Sequence, residues 1–154
     1  LTYVSLSNSW ASIGEAAFNS CDELAAVNIP TSLTTIPKRC FKDCPMLESI
    51  DIPDSVTTIE DEAFYETEPA AGEEKGTAAL KYVTFGEGLT SIGKEAFYRC
   101  EEITRLEFPK SLTTIGESAF SGCSNLAGVY LRADNKLQTI GFSLAKAIKV
   151  LIIE

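Results

Sequence analysis

The cysteines are the residues of this sequence whose type and spacing most suggest chemistry. The chain has 154 residues and five cysteines, and Cys40 and Cys44 are spaced as two metal ligands on one face of a helix would be. Cys21 lies 23 residues before Cys44, and Cys100 has the same separation from Cys123. If units of that length stack, each pair comes within disulfide distance. The chain has no histidine, which removes the commonest metal ligand and the usual partner of a catalytic cysteine or serine.

Hydroxyl side chains form a second candidate group, because each of them directly precedes an isoleucine. They are Ser12, Thr35, Thr58, Ser91, Thr114 and Thr139. An exposed row of this kind would contact sugars or ice. A buried row would instead form a hydrogen-bonded ladder that satisfies backbone groups at a bend, and this second interpretation is favoured.

Acidic residues are concentrated in the polar segment 66–79, which contains four glutamates. They would bind calcium only weakly, because no Asp-x-Asp-x-Asp-Gly spacing is present, so we interpret the segment as a solvated loop. The chain also lacks a nucleophile elbow and a glycine-rich phosphate loop. We therefore predict that it is not an enzyme and has no catalytic residues, metal or cofactor. Two facing carboxylates in a deep cleft would reverse that prediction.

Composition narrows the class of partner. Thirteen Lys and Arg against 22 Asp and Glu give a net charge of −9, which repels nucleic acid and anionic membrane surfaces. No apolar run approaches the roughly 18 residues needed to span a bilayer. The chain begins at Leu1 and its one methionine is Met46. We expect a processed product or a fragment, so the missing signal peptide says nothing about targeting.

The elements that position these residues are repeated units of 23 residues. Isoleucine recurs in register at Ile13, Ile36, Ile59, Ile92, Ile115 and Ile140. The spacing is 23 except for a ten-residue insertion before the fourth copy and a two-residue insertion before the sixth. Phenylalanine follows five residues later at Phe18, Phe41, Phe64, Phe97 and Phe120. Six copies with this period predict a solenoid.

Each unit has three parts. The first is a short segment with alternating apolar residues, such as 24–29, which predicts a strand with one buried face. Pro30, Pro53 and Pro109 end such segments, because proline cannot donate to a continuing ladder. A Ser/Thr-Ile pair follows, and then a segment such as 116–120 whose acidic residue near its start favours a short helical turn. Residues 148–153 are interpreted as a seventh, closing strand.

The consensus L-x-x-[IV]-x-[IF]-P-x-S-[LV]-T-x-I-G-x-x-A-F-x-x-C-x-x-L resembles the BspA-like, or Treponema pallidum-type, leucine-rich repeat. It departs from that pattern at residues 7–10 and 141–144. The resemblance implies an α/β solenoid, a right-handed horseshoe with one curved parallel sheet of six or seven short strands and short helical or 3₁₀ turns on the convex side. We expect one domain over residues 1–154, with an insertion near 67–79 and an atypical last repeat over 127–154.

The repeat positions of the cysteines change their interpretation. Four of them share one position that faces the core, and Cys40 occupies a position held elsewhere by Ala17, Ala63, Ala96 and Ala119. A free cysteine packs well as a small apolar residue. We therefore expect separate buried thiols rather than disulfides or a metal site.

The outward face of the predicted sheet is the candidate interaction face. Strand alternation points a set of polar and aromatic residues outward: Tyr3, Asn28, Asp51, Tyr82, Thr84, Arg105, Glu107, Tyr130 and Arg132. Tyrosine and arginine are enriched at binding hot spots, although the same residues also suit a solvated strand face. We expect the contact to centre on Tyr82, Arg105 and Tyr130.

The resemblance also implies a surface-exposed or secreted protein, mostly from bacteria and some protists, used for adhesion or protein contacts. We accordingly predict an extracellular or cell-surface module that binds a protein or glycan on another cell or matrix surface. The alternative is a structural spacer whose repeats display another domain and bind nothing themselves.

Overall fold

The computed structural model describes residues 2–66, 80–141 and 150–153. Within them, seven strands of three or four residues follow one another at one side of the repeats. They are β1 (Tyr3–Ser5), β2 (Ala26–Asn28), β4 (Ser49–Ile52), β6 (Tyr82–Phe85), β8 (Arg105–Glu107), β10 (Gly128–Leu131) and β12 (Val150–Ile153). Five two-residue strands alternate with them: β3 (Thr35–Ile36), β5 (Thr58–Ile59), β7 (Ser91–Ile92), β9 (Thr114–Ile115) and β11 (Thr139–Ile140).

The longer strands pair in parallel with equivalent repeat positions opposite each other. Val4 lies opposite Val27, and Ile50 lies opposite Val83. The predicted closing strand is confirmed, because β12 pairs with β10 and Leu151 lies opposite Val129. The predicted strands therefore form, and they have the predicted register of one 23-residue unit against the next.

The prediction of one continuous sheet needs correction. The longer strands form three hydrogen-bonded groups, β1–β2, β4–β6 and β8–β10–β12. Among the described residues, no backbone hydrogen bond joins β2 to β4 or β6 to β8. The repeats stay stacked at these junctions because other parts of each unit carry the hydrogen bonding across them. Right-handed curvature remains a prediction.

A second parallel sheet, with the order β11-β9-β7-β5-β3, was not predicted. Its two-residue strands are the Ser/Thr-Ile pairs, which had been interpreted as a hydroxyl ladder. The ladder that does form uses the residue one position earlier. The Thr57 hydroxyl donates to the carbonyl of Thr34 at 3.2 Å, Thr90 to Thr57 at 2.9 Å and Thr113 to Thr90 at 3.0 Å.

The predicted short helices are wrong for the described residues, which contain turns and no α- or 3₁₀-helix. Within these turns, Arg39 and Glu62 have the positive φ values 57° and 55°, which an α-helix does not contain. The amide of Phe41 donates to the Ala63 carbonyl in the next repeat at 2.8 Å. Such an amide is no longer available to a carbonyl four residues earlier. The described part of the solenoid is therefore all-β rather than α/β.

The core of the solenoid is a stack of phenylalanine rings. The ring centroids of Phe18 and Phe41 are 5.4 Å apart, those of Phe41 and Phe64 also 5.4 Å, and those of Phe64 and Phe97 4.9 Å. Phe120 continues the stack at 5.2 Å. Parallel rings at these distances make favourable stacked contacts between neighbouring repeats. The stack therefore couples each described repeat to the next.

The cysteines are free thiols next to this stack, and all except the half-buried Cys21 are buried. The Cys44 Sγ donates to the Phe18 carbonyl at 3.1 Å, and Cys123 donates to Phe97 at 3.2 Å. Burial raises the pKa of Cys44 and Cys123 to about 12, so both remain protonated at neutral pH. Over residues 2–66, 80–141 and 150–153, no group of three His, Cys, Asp or Glu could hold a metal ion.

Over the described ranges, no helix has the length and apolar content that crossing a membrane requires.

Candidate interaction surface

The outward side chains of the longer strands form two rows along the sheet, because alternate residues of a strand point to opposite faces. Val83 and Phe85 of β6 are directed towards the core, whereas Tyr82 and Thr84 are exposed. The same alternation holds in β8, where Leu106 is buried between two exposed residues. The register of the paired strands therefore brings outward residues of successive repeats next to each other.

One part of this surface is built around a glycine. A Cβ on Gly128 would lie 3.1 Å from Cε2 of Tyr130. The missing side chain therefore leaves room for the tyrosine ring to lie against the strand. The guanidinium carbon of Arg105 lies 3.8 Å from the centroid of that ring, a distance at which a cation–π contact is favourable. Arg105 Nη2 is also 3.7 Å from Glu107 Oε2.

A groove of about 560 Å³ follows the junction between β6 and β8. Tyr82 and Thr84 line one wall, and Arg105 and Glu107 line the other. Beyond these walls the lining consists of strand-end, floor and turn residues: Lys81, Val83, Phe85, Glu87, Thr104, Phe108, Pro109 and Arg132. We call this feature the β6–β8 groove.

The predicted contact residues separate into two sets. Five of them line the β6–β8 groove: Tyr82, Thr84, Arg105, Glu107 and Arg132. Tyr130 contacts Arg105 and adjoins this set. Three others, Tyr3, Asn28 and Asp51, are exposed on β1, β2 and β4 and do not line the groove. The insertion near 67–79 lies outside the described residues.

Sequence reasoning missed the floor and both ends of the groove. Lys81 and Glu87 lie just outside β6, so an argument from strand alternation did not reach them. Val83 and Phe85 were assigned to the core by the same alternation. The size of Val83 was no signal for the groove, because Val27 and Val129 are also valine at the same repeat position.

The carboxylates of the groove are paired with arginines rather than with each other. Glu87 Oε1 is 3.4 Å from Arg132 Nη1, and Glu107 is next to Arg105 as described above. An acid–base pair needs two carboxyl groups that face a shared substrate position. The groove is therefore better suited to recognition than to glycoside chemistry.

The fold and the repeat pattern together define a leucine-rich-repeat solenoid. A family model described as "BspA type Leucine rich repeat region" matches six copies over residues 1–70 and 75–151. The chain belongs to this family, which confirms the resemblance drawn from the consensus. No curated protein sequence matches the chain.

Several solved structures resemble this fold. A T. pallidum leucine-rich-repeat protein superposes with a TM-score of 0.74 at 23% identity, over 97% of this chain and 70% of its own. A leucine-rich cell surface protein from Faecalibacterium prausnitzii gives 0.60 at 20% identity, over 93% of this chain and 48% of its own. A leucine-rich-repeat protein from Bacteroides ovatus gives 0.50 at 20% identity, over 99% and 55%. The chain thus spans about half the length of the second and third structures.

Membership of a leucine-rich-repeat family supports a protein-interaction module in general. Proteins of this family are generally binding or repeat proteins rather than enzymes.

Proposed function

We propose that the chain is a cell-surface or secreted interaction module whose concave sheet face, centred on Tyr82, Arg105 and Tyr130, binds a partner protein. The observation that carries the proposal is the β6–β8 groove, which concentrates five of the nine predicted contact residues. Tyr82 is 68% exposed beside it, which leaves a large amphipathic side chain free for a contact.

The surface location rests on the family and on one neighbour. The Faecalibacterium prausnitzii structure is that of a leucine-rich cell surface protein, and BspA-type repeats are often surface-associated. The charge of −9 disfavours nucleic acid and anionic membranes as partners. An adhesive contact with a protein on another cell or matrix surface fits this charge, and a glycan is the other ligand class to be screened.

The test begins with a protein and glycan array probed with the purified chain. The partner found there is then titrated against the double variant Arg105→Glu/Tyr130→Ala. We expect binding to be lost with the melting temperature nearly unchanged, because Arg105 is exposed and its ion pair contributes little to stability. Tyr3→Ala is the matched control, since it removes an exposed tyrosine from the outward face of a longer strand outside the groove, β1.

Undiminished binding by the double variant would show that the contact lies elsewhere on the molecule. If the intact chain binds nothing on either array, the spacer function becomes the better explanation, with the repeats displaying another domain.

A further inference from the structure

The β6–β8 groove differs from a solvated strand surface because backbone groups open into it. Within residues 80–141, no hydrogen bond joins β6 to β8. The Tyr82 amide donates towards β4, and the Phe108 amide donates to Tyr130 of β10. Backbone groups alternate in direction along a strand. Those of Val83 on one side and of Arg105 and Glu107 on the other therefore face the groove.

The floor of the groove is apolar. Val83 is only half-buried, whereas Ile50 and Leu106, at the same repeat position in the neighbouring units, are each 1% exposed. Phe85 and Phe108 also line the groove, with ring centroids 5.6 Å apart, but they are only 8% and 1% exposed. An apolar side chain from a partner would therefore cover mainly Val83 and remove its remaining apolar surface from water.

The rim of the groove is polarised along the strands. Lys81 and Arg105 lie at the end where the strands begin, and Glu87 and Glu107 lie towards the other end together with Arg132. The ion pair between Arg105 and Glu107 is long and both side chains are more than half exposed, so it is weak and can exchange for a ligand. Although the chain has a net charge of −9, the end of the groove with Lys81 and Arg105 is positively charged and is complementary to an acidic group.

We propose that the β6–β8 groove binds an extended peptide segment that presents an acidic side chain to Lys81 and Arg105 and an apolar side chain to the half-buried Val83 on the floor. Residues i and i+2 of an extended chain lie on one face about 6.6 Å apart, and Lys81 and Val83 have this i, i+2 separation in the sequence. This inference rests on the proposed function and names the partner of that same face.

The test uses short Gly/Ser peptides that carry Glu and Phe two residues apart, in both orders, titrated calorimetrically against the whole chain. Control peptides replace Glu by Lys or Phe by Ala. We expect either control to bind at least about tenfold more weakly than one of the Glu/Phe peptides. The chain variant Lys81→Glu/Arg105→Glu should reverse the preference and bind the Lys/Phe peptide instead, which a merely destabilised protein would not do.

Lys94→Glu is the matched control variant, because Lys94 is an exposed cation outside the groove. It should leave the peptide affinity within about twofold of the parent. An equal loss in Lys94→Glu and Lys81→Glu would overturn the inference by showing unspecific attraction of an acidic peptide.

The failure of this inference is distinguishable from that of the proposed function. If no Glu/Phe peptide binds, yet Arg105→Glu/Tyr130→Ala abolishes binding of an array-identified protein, the concave face is retained and the peptide is rejected. If Lys81→Glu/Arg105→Glu instead abolishes binding of a glycan, the peptide is likewise rejected in favour of a carbohydrate ligand.

Discussion

The turns and the longer strands of each repeat join their neighbours in different ways. On the turn side, Ala16, Arg39, Glu62 and Glu95 each donate a backbone hydrogen bond to the following repeat. That ladder continues from the first repeat to the fifth, alongside the phenylalanine stack. On the strand side, the hydrogen bonding is interrupted between β6 and β8.

This contrast indicates that the two sides of one 23-residue unit have different roles. The turns and the core hold the repeats together, so the strand face does not need an unbroken ladder to remain in place. The outward side chains on the strand face can then be used for a ligand. Substitutions on the two sides should accordingly differ in their effect on stability.

The largest expected loss of stability follows from opening the phenylalanine stack in its interior. Phe41 is 1% exposed and has a ring stacked on each side, at Phe18 and Phe64. Phe41→Ala should cost about 3–5 kcal/mol, because a cavity remains between repeats. Phe18 is only partly buried, so Phe18→Ala should cost less, about 1–2 kcal/mol. Urea unfolding of both variants measures the difference, and equal losses would contradict a stack that is anchored in its interior.

The next effect concerns an ion network on the turn side. Arg39 donates two hydrogen bonds to Glu62, at 3.0 and 2.9 Å, and Lys42 donates a third at 3.2 Å. These bonds lower the pKa of Glu62 from 4.5 to about 2, and the hydrogen bond from Arg39 has the largest effect. Glu62→Gln should therefore cost about 1–2 kcal/mol at pH 7.

The pH dependence of this loss has a defined sign. Because the pKa is lowered in the folded state, the contribution of Glu62 is present above pH 4.5 and is lost as the pH falls towards 2. The difference in unfolding free energy between parent and variant should shrink over that range. Glu95→Gln is the matched control, since Glu95 has the same repeat position and, among the described residues, pairs with Lys94 at the longer distance of 4.0 Å. A pH-independent difference for Glu62→Gln would contradict the role of the network.

A smaller effect is expected from removing the ten-residue insertion. Deleting residues 68–77 restores the 23-residue spacing between Phe64 and Phe97. The deletion should change the stability by less than about 1 kcal/mol, because the entropy of loop closure varies slowly with loop length. Thermal unfolding of the deletion variant beside Phe41→Ala tests this. Loss of folding on deletion, with Phe41→Ala tolerated, would show that the register is wrong.

The sequence predicted the repeat, the strand positions and the outward residues because these depend on local alternation and period. Tyr82, Thr84 and Arg105 were assigned correctly to the outward face by that argument. The turns were misassigned as helical because segment 116–120 has helix-compatible residues. In the structure, the backbone amides of the equivalent turns donate hydrogen bonds to carbonyls of the next repeat instead. The Glu95 amide, for example, donates to the Glu117 carbonyl at 3.0 Å. The residue pattern of one unit does not identify this hydrogen-bond acceptor, because the acceptor lies in the next unit.

The groove was beyond prediction for a related reason. Its existence depends on whether two neighbouring strands complete their hydrogen bonds, and valine at position 83 does not reveal this, because Val27 and Val129 have the same repeat position. Lys81 and Glu87 could have been included only by extending the outward set past the strand ends.

The smallest stability change is expected at the open junction itself. Val83 borders unfilled space, so Val83→Ile should add apolar contact and stabilise the fold by about 0.5 kcal/mol, less than a fully buried methylene contributes. Val129, at the same repeat position, is 1% exposed and lies between the paired strands β8 and β12. Val129→Ile should instead destabilise by about 1 kcal/mol or more through overpacking. Chemical denaturation of both variants measures the sign, and calorimetry with the Glu/Phe peptide should show weaker binding for Val83→Ile because the floor has been raised. If both variants are destabilised alike, the junction between β6 and β8 is closed in solution, and the contrast between the two sides of the repeat does not hold there.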